Sequence, residues 1–176
     1  MPLPDKIQIT QGTEIVWGEA GAAGVTHTLS FDGLANGAAR MGASADLGVN
    51  WDDEYLVYYE IETGTAPAAG LTSELYLVSS YNGSSWPAKV TGSDGAYTLG
   101  TSDANLKQAG PPVVVLNATN DGNTVLRQAS VIWRPKGRYV VPISDNNLGQ
   151  AYRDEATATD NGSRIILVPR GVVIND

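Results

Sequence analysis

Six turn signals divide the sequence into short segments, and their spacing constrains the fold more than any other feature of the chain. Each is an Asn or Asp followed by Gly, a dipeptide that tolerates positive φ and closes hairpins or tight loops. They are Asp32-Gly33, Asn36-Gly37, Asn82-Gly83, Asp94-Gly95, Asp121-Gly122 and Asn161-Gly162. Short apolar segments lie between these turns, which is typical of an all-β sandwich or barrel.

The segments between the turns alternate with the two-residue period of strands. The clearest covers 54–62 and should have one apolar face and one wet face. Its faces are Val57, Tyr59 and Ile61 against Tyr58, Glu60 and Glu62. We expect it to pair antiparallel with 73–79, because consecutive strands are usually neighbours. Further strands are expected at 112–116, 124–133, 138–143 and 164–168, with weaker candidates at 7–10, 14–17, 27–31, 38–40 and 45–48.

Three local features complete the predicted organisation. Pro142 lies inside a strand pattern and predicts an edge strand or a bulge. Residues 102–107 predict one short helical turn. Residues 1–26 include a Gly- and Ala-rich stretch and predict an extended N-terminal arm that becomes ordered against a neighbour. Residues 27–176 are then expected to form a single antiparallel β-sandwich domain.

The composition excludes several classes of function. The chain has 176 residues, no Cys and one His, so it offers no thiol nucleophile, disulfide framework or His-rich metal centre. Its net charge of −8 argues against direct binding of nucleic acid. The N-terminus lacks a basic region followed by an apolar run, and no stretch is long enough to span a bilayer. We therefore expect a soluble protein without a cleaved signal peptide or a membrane partner.

Charge is unevenly distributed along the chain. Residues 1–100 contain 12 acidic and 3 basic side chains, whereas residues 101–176 contain 7 and 8. An acidic first part and an Arg-bearing second part can complement each other between copies or fit a patterned partner surface. Alternatively, both sets of charges are solvated faces.

Candidate catalytic and metal-binding groups do not converge in the sequence. The acidic run 52–54 points alternately to opposite faces, and the spacing of Glu60 and Glu62 is common on any acidic strand. The loop 145–149 resembles the opening of a calcium loop but lacks the closing Glu, so a structural Ca²⁺ stays open. His27 has no Gly-x-Ser-x-Gly elbow to serve. We expect no enzyme, no catalytic residue and no cofactor.

Two regions are candidates for binding a partner. Tyr81 and Trp86 flank a loop that could present aromatic rings to a sugar, although Trp86 equally suits closure of one end of the sandwich. Arg134, Lys136 and Arg138 form the densest positive patch, on a Pro- and Gly-containing turn between two apolar strands. This turn is either structural, with solvated charges, or a docking point for carboxylates of a neighbouring protein.

An ordered series of segments resembles small virion proteins of tailed bacteriophages over about residues 40–170. The series consists of 45–48, 53–62, 65–77, 92–97, 105–108, 134–143, 147–151 and 164–169. Several similar proteins are capsid cement, or decoration, proteins with jelly-roll or related β-sandwich domains, commonly trimeric, on the outside of the icosahedral shell.

The resemblance implies a jelly roll that acts as a homotrimeric cement protein, made in the host cytoplasm and located on the capsid exterior. Its partners would be the major capsid protein and other copies of itself. Two alternatives stay open: a tail or head-tail structural protein, which would share the fold, and a carbohydrate-binding module that relies on Tyr81 and Trp86.

Overall fold

The computed structural model describes residues 6–98, 109–119, 121–154 and 162–175, and these form twelve strands in two sheets. The short helical turn expected over 102–107 lies outside the described residues. The strands are β1 (Lys6–Gln11), β2 (Ile15–Gly18), β3 (His27–Thr28), β4 (Ala38–Met41), β5 (Ala45–Asp46), β6 (Tyr55–Glu62), β7 (Thr72–Ser80), β8 (Gly95–Tyr97), β9 (Val114–Asn117), β10 (Val125–Trp133), β11 (Tyr139–Asn147) and β12 (Arg164–Asn175).

The two sheets have separate strand orders. The first sheet runs β10-β6-β12-β2-β3, and β1 pairs with β12. The second runs β8-β4-β11-β7-β9, and β5 pairs with β11. The strands pair antiparallel except β2 and β3, which are parallel. The expected all-β, antiparallel sandwich is confirmed, while the jelly-roll topology stays a prediction.

The core lies between the sheets and follows from the alternation in β6. The side chains of Tyr55, Val57, Tyr59 and Ile61 are at most 2% exposed, and the residues between them are half-buried. They pack with inward residues of the second sheet, which include Leu75, Leu77 and Val140. The two faces predicted for this strand are therefore confirmed.

The predicted pairing of β6 with β7 is wrong, because the two strands belong to different sheets. β6 lies between β10 and β12, whereas β7 lies between β11 and β9. The connecting segment crosses between the sheets and is held by backbone hydrogen bonds from Thr63 to Thr124 and from Gly70 to Ala118. Each strand has an apolar face, and both faces are buried when they meet across the core rather than side by side.

Pro142 is on a central strand, not an edge strand. β11 pairs with β7 on one side and with β4 and β5 on the other. The amide of Gly42 donates to the carbonyl of Pro142 at 2.9 Å, so Pro142 faces the short gap between β4 and β5. Because the ladder is interrupted there, the missing N–H of the proline leaves no gap in the sheet's pairing.

The expected N-terminal arm needs correction in its second half. Residues 15–18 form β2, which pairs with β12, and the Trp17 side chain is completely buried in the core. The Trp17 indole also donates to the carbonyl of Ala43 at 2.7 Å. The Gly- and Ala-rich composition applies only to the loop that follows β2. The backbone of β1 pairs with the end of β12, from Lys6 opposite Asn175 to Gln11 opposite Arg170.

Four buried hydroxyl groups join the two sheets inside the core. The Tyr59 hydroxyl, from the first sheet, lies 2.6 Å from those of Ser73 and Ser144, from the second sheet. The Tyr152 hydroxyl lies 2.6 Å from Ser73 and 3.1 Å from Ser144. Each hydroxyl thus has partners, which removes the cost of burying an unsatisfied polar group. We call these four side chains the hydroxyl cluster.

Candidate partner-binding surface

The turn that carries the predicted positive patch connects β10 to β11 and packs against the end of β7. The amide of Lys136 donates to the hydroxyl of Ser79 at 3.3 Å, and the amide of Leu47 donates to the carbonyl of Arg138 at 2.8 Å. A Cβ atom on Gly137 would lie 2.7 Å from the carbonyl oxygen of Ser80. The turn is therefore a packed structural corner and needs glycine at this position.

Both arginines of this turn form ion pairs within the chain. An Arg134 guanidinium nitrogen lies 2.6 Å from Oε1 of Glu54, and the Arg138 guanidinium pairs with both oxygens of Asp46. The hydrogen bond from Arg134 lowers the pKa of Glu54, and that from Arg138 lowers the pKa of Asp46. Arg138 also lies 5.1 Å from the ring centre of Tyr139. A docking partner would have to compete with these carboxylates.

Lys136 differs from its two neighbours in the turn. Its side chain is exposed, and no carboxylate forms an ion pair with it within the described part of the chain. It is therefore the exposed member of the predicted positive patch that has no ion pair among these residues. Sequence reasoning treated the three cations alike, because their partners lie about 80 to 90 positions away in the chain.

The two aromatic candidates take different roles. Tyr81 is 77% exposed and its backbone lies beside Gly137, so the structure brings Tyr81 next to the positive turn. Trp86 is half-buried, and its indole donates to the carbonyl of Gly83 at 3.0 Å. Trp86 packs against a second apolar cluster on the outer face of the second sheet, formed by Ala39, Met41, Tyr76, Val78, Ala88, Val90, Tyr97, Val141 and Ile143. This packing favours the structural reading of Trp86 over a sugar platform.

The acidic and Arg-bearing parts of the chain complement each other within one molecule. On the outer face of the first sheet, Glu60 lies between Arg127 at 3.6 Å and Arg164 at 3.9 Å. At one end of this face, Glu54 accepts from Arg134 and lies 3.8 Å from Arg170. At the other end, Arg153 pairs with Glu62. Each of these three carboxylates from the acidic first part therefore has an arginine partner from the second part of the same molecule.

The other candidate catalytic and metal-binding residues take part in ion pairs, in a strand or in a local hydrogen bond. Glu60 and Glu62 form the ion pairs described above. Residues 145–147 belong to β11, so the predicted loop 145–149 is largely strand rather than a calcium loop. His27 lies 2.9 Å from the Thr26 hydroxyl, and burial lowers the pKa of His27. Among the described residues, no three His, Asp or Glu side chains come together as a metal site.

Two polar residues missed by sequence reasoning organise the loops at the ends of the sheets. The buried Asn146 amide donates to the carbonyls of Leu34 and Gln150 at 2.8 and 2.9 Å, and its oxygen accepts from the amide of Leu148 at 3.0 Å. The Glu19 carboxylate, 8% exposed, accepts from the segment that follows β3, with Asp32 donating its amide at 3.0 Å. The bonds from Asn146 to Leu34 and from Asp32 to Glu19 join separate loops, so no local signal predicts them.

Cavities open at several places on the surface of the described residues. One of about 370 Å³ lies between β9 and β10, at the adjacent edges of the two sheets. One of about 410 Å³ is lined by His27, Asp52 and Pro169 among others. Another of about 450 Å³ lies on the outer face of the first sheet between β2, β12 and the loop 19–25.

No family model, curated protein or solved structure matches this chain in the three comparisons with known proteins. In the described ranges, no helix is long and apolar enough to cross a membrane.

Proposed function

We propose that this chain is a structural virion protein of a tailed bacteriophage that binds the outside of the icosahedral capsid as a cement protein. The proposal starts from the ordered sequence segments that resemble such proteins. Several of these segments supply the framework strands β5, β6, β7 and β11. The observation that carries the proposal furthest is the way in which the two sheets are joined into one block.

Two sheets joined in this way suit a protein that transmits force rather than one that catalyses a reaction. The hydroxyl cluster fixes the two sheets relative to each other through short hydrogen bonds in the buried core. Charged side chains that could serve a catalytic site instead brace neighbouring strands as ion pairs. A protein that spans joints between capsomers must resist deformation when the packaged genome pushes outward, and a closely packed sandwich does so.

Adhesion would gain strength from the number of copies. In the homotrimer that the resemblance implies, one bound copy raises the effective concentration of the other two at the shell. Modest contacts with the major capsid protein then add up to lasting attachment. The exposed Lys136 and Tyr81, which lie on the same corner of the sandwich, are the part of the predicted site that is available to such a partner.

Co-sedimentation with empty shells of the major capsid protein tests the proposal. We expect saturable binding at low salt, and weaker binding for Lys136→Glu. Lys89→Glu is the matched control, because it makes the same charge change on another exposed loop. Absence of saturable binding would count against the cement function, whereas undiminished binding of Lys136→Glu would remove only the role of the turn.

Arg134 needs a separate design because of its ion pair. Reversal of Arg134 alone would place two carboxylates beside each other, so any loss of binding could come from a disturbed turn. The exchange of charges in Arg134→Glu with Glu54→Arg keeps an ion pair at this position while it reverses the charge of the turn. If Arg134 contacts the shell, the exchanged variant binds more weakly although its fold is intact.

A further inference from the structure

The outer face of the first sheet, which points away from the core, has an apolar centre. The strand registers place Ile132 opposite Leu56, and Ile166 opposite Tyr58. Ile132 is 51% exposed, and the other three side chains are half-buried. We call Leu56, Tyr58, Ile132 and Ile166 the outer patch. Ion pairs of Glu54, Glu60 and Glu62 border it at both ends, so the face has the apolar centre and charged rim of a protein interface.

One side of this face projects and the other side is hollow. Ile132 stands on β10, the outermost strand on one side. The cavity of about 450 Å³ lies beyond β12 on the other side and is lined by Val16, Ala22, Val25 and Ile166. Three strand spacings separate β10 from β2, which is about 14 Å at the usual distance between strands.

The projection is level with one end of the hollow, the end at Glu14. Ile132 is level with Leu56, and Leu56 is level with Val168. Since Leu167 pairs with Ile15, Val168 is level with Glu14, which lines the hollow. A twofold axis parallel to the strands, between β6 and β12, would therefore bring Ile132 of one copy over the Glu14 end of the hollow of another. Such a contact is made twice, which is the property of an isologous interface.

The charges on the two sides agree with the same arrangement. The β10 side carries Arg127 and Arg134, whose side chains are 68% and 76% exposed. The hollow side carries the exposed Glu14, which has no ion-pair partner within the described ranges. The same rotation leaves Arg134 two residues beyond the level of Glu14 of the second copy, so that Glu14 becomes a second carboxylate near an arginine that already pairs with Glu54. Opposite charges at the rim of an interface favour this orientation.

We propose that the outer face of the first sheet binds a second copy of this chain. Ile132 of each copy enters the Glu14 end of the hollow of the other, and Arg134 lies next to the level of Glu14 across the contact. The contact joins copies in pairs and concerns the purified chain alone. It needs neither a capsid nor a threefold contact elsewhere on the molecule in order to form.

Sedimentation equilibrium of the full chain, at concentrations up to about 100 µM, tests this contact. Ile132→Asp removes the projection and Ala22→Trp fills the hollow. Val49→Asp is the matched control, because Val49 is 72% exposed and lies outside the outer patch. Circular dichroism establishes that each variant is folded.

We expect the wild type to form species with an even number of copies. Ile132→Asp and Ala22→Trp should each weaken association by at least about tenfold, which corresponds to about 1.4 kcal/mol and does not exceed the value of one buried isoleucine. Val49→Asp should associate as the wild type does. A monomeric wild type, a trimer unaffected by Ile132→Asp, or sensitivity to only one of the two patch variants would overturn the proposal.

Discussion

The hydroxyl oxygen of Tyr59 lies 2.6 Å from the hydroxyl oxygen of Ser144, across the boundary between the two sheets. Tyr59 belongs to β6, in the middle of the first sheet, and Ser144 belongs to β11, in the middle of the second. The contact fixes the separation and the register of the sheets at the centre of the sandwich. Apolar packing alone would hold the sheets together without specifying this alignment as closely.

Removal of one hydroxyl from the hydroxyl cluster should destabilise the fold. In Tyr59→Phe, Ser73 and Ser144 each lose a partner but keep Tyr152. We expect the free energy of unfolding to fall by about 1–2 kcal/mol, the usual cost of a lost buried hydrogen bond. Urea denaturation measures this change. A double-mutant cycle with Ser144→Ala should give non-additive losses, and strict additivity would contradict a direct interaction.

The stability of the protein should fall at alkaline pH. Burial raises the pKa of Tyr59 and of Tyr152 above the ordinary value of 10.0. The folded state therefore keeps both phenols protonated while the unfolded state ionises, and stability present below about pH 10 is lost as the pH rises further. Urea denaturation between pH 8 and pH 11 checks this, with those limits set around the phenol pKa of about 10. In Tyr59→Phe with Tyr152→Phe the decline should be shallower, whereas an unchanged decline would assign it to other groups.

The sequence predicts the interior of the fold better than its connections. The alternation in β6 could be read because burial of one face imposes a period of two, and each of Val57, Tyr59 and Ile61 is fully buried. The sequence does not identify which strand pairs with β6, because the connection from β6 to β7 is long enough for either a hairpin or a crossing between sheets. The sequence predicts a weak strand at 14–17, which β2 confirms, but it places this strand in an arm because Gly- and Ala-rich residues follow Trp17.

The sequence likewise predicts only part of the candidate site. The positive turn was found because its cations are close together in sequence, but its partners Glu54 and Asp46 are far away in the chain. Asn146 forms a local turn with Leu148, but the bonds that join Asn146 to Leu34 and Glu19 to Asp32 have no sequence signal, since such side chains are usually solvated. Pairings over long sequence distances require the topology, and the topology here depends on which strands cross between the sheets.

Asn146→Asp should destabilise the protein more than Asn146→Ala does. Its amide group donates to two carbonyls, so Asn146→Ala loses those bonds and should cost about 2–3 kcal/mol. Asn146→Asp is closer in shape but directs carboxylate oxygens at both carbonyls, so it should cost more than Asn146→Ala. Denaturant unfolding of both variants at pH 7 measures the order. The opposite order would show that the donors of Asn146 are not what holds these loops.

Gly137 should not tolerate a methyl group. In Gly137→Ala the new Cβ would lie 2.7 Å from the backbone oxygen of Ser80, so the turn must shift away from β7. We expect a loss of about 1–3 kcal/mol in the free energy of unfolding, typical of overpacking at a rigid contact. Gly95→Ala is the matched control, because a Cβ there meets nothing within 4 Å. Equal thermal stability of the two variants would contradict the close packing of the turn.

The central claim is that this protein works as a structural block on the outside of a phage capsid. A cryo-electron-microscopy map of shells incubated with the purified chain tests it most directly. We predict additional density on the outer surface, at the joints between capsomers, into which the two-sheet sandwich fits with the corner of Tyr81 and Lys136 towards the shell. Shells without added density, or virions that carry the chain only in the tail, would contradict the account.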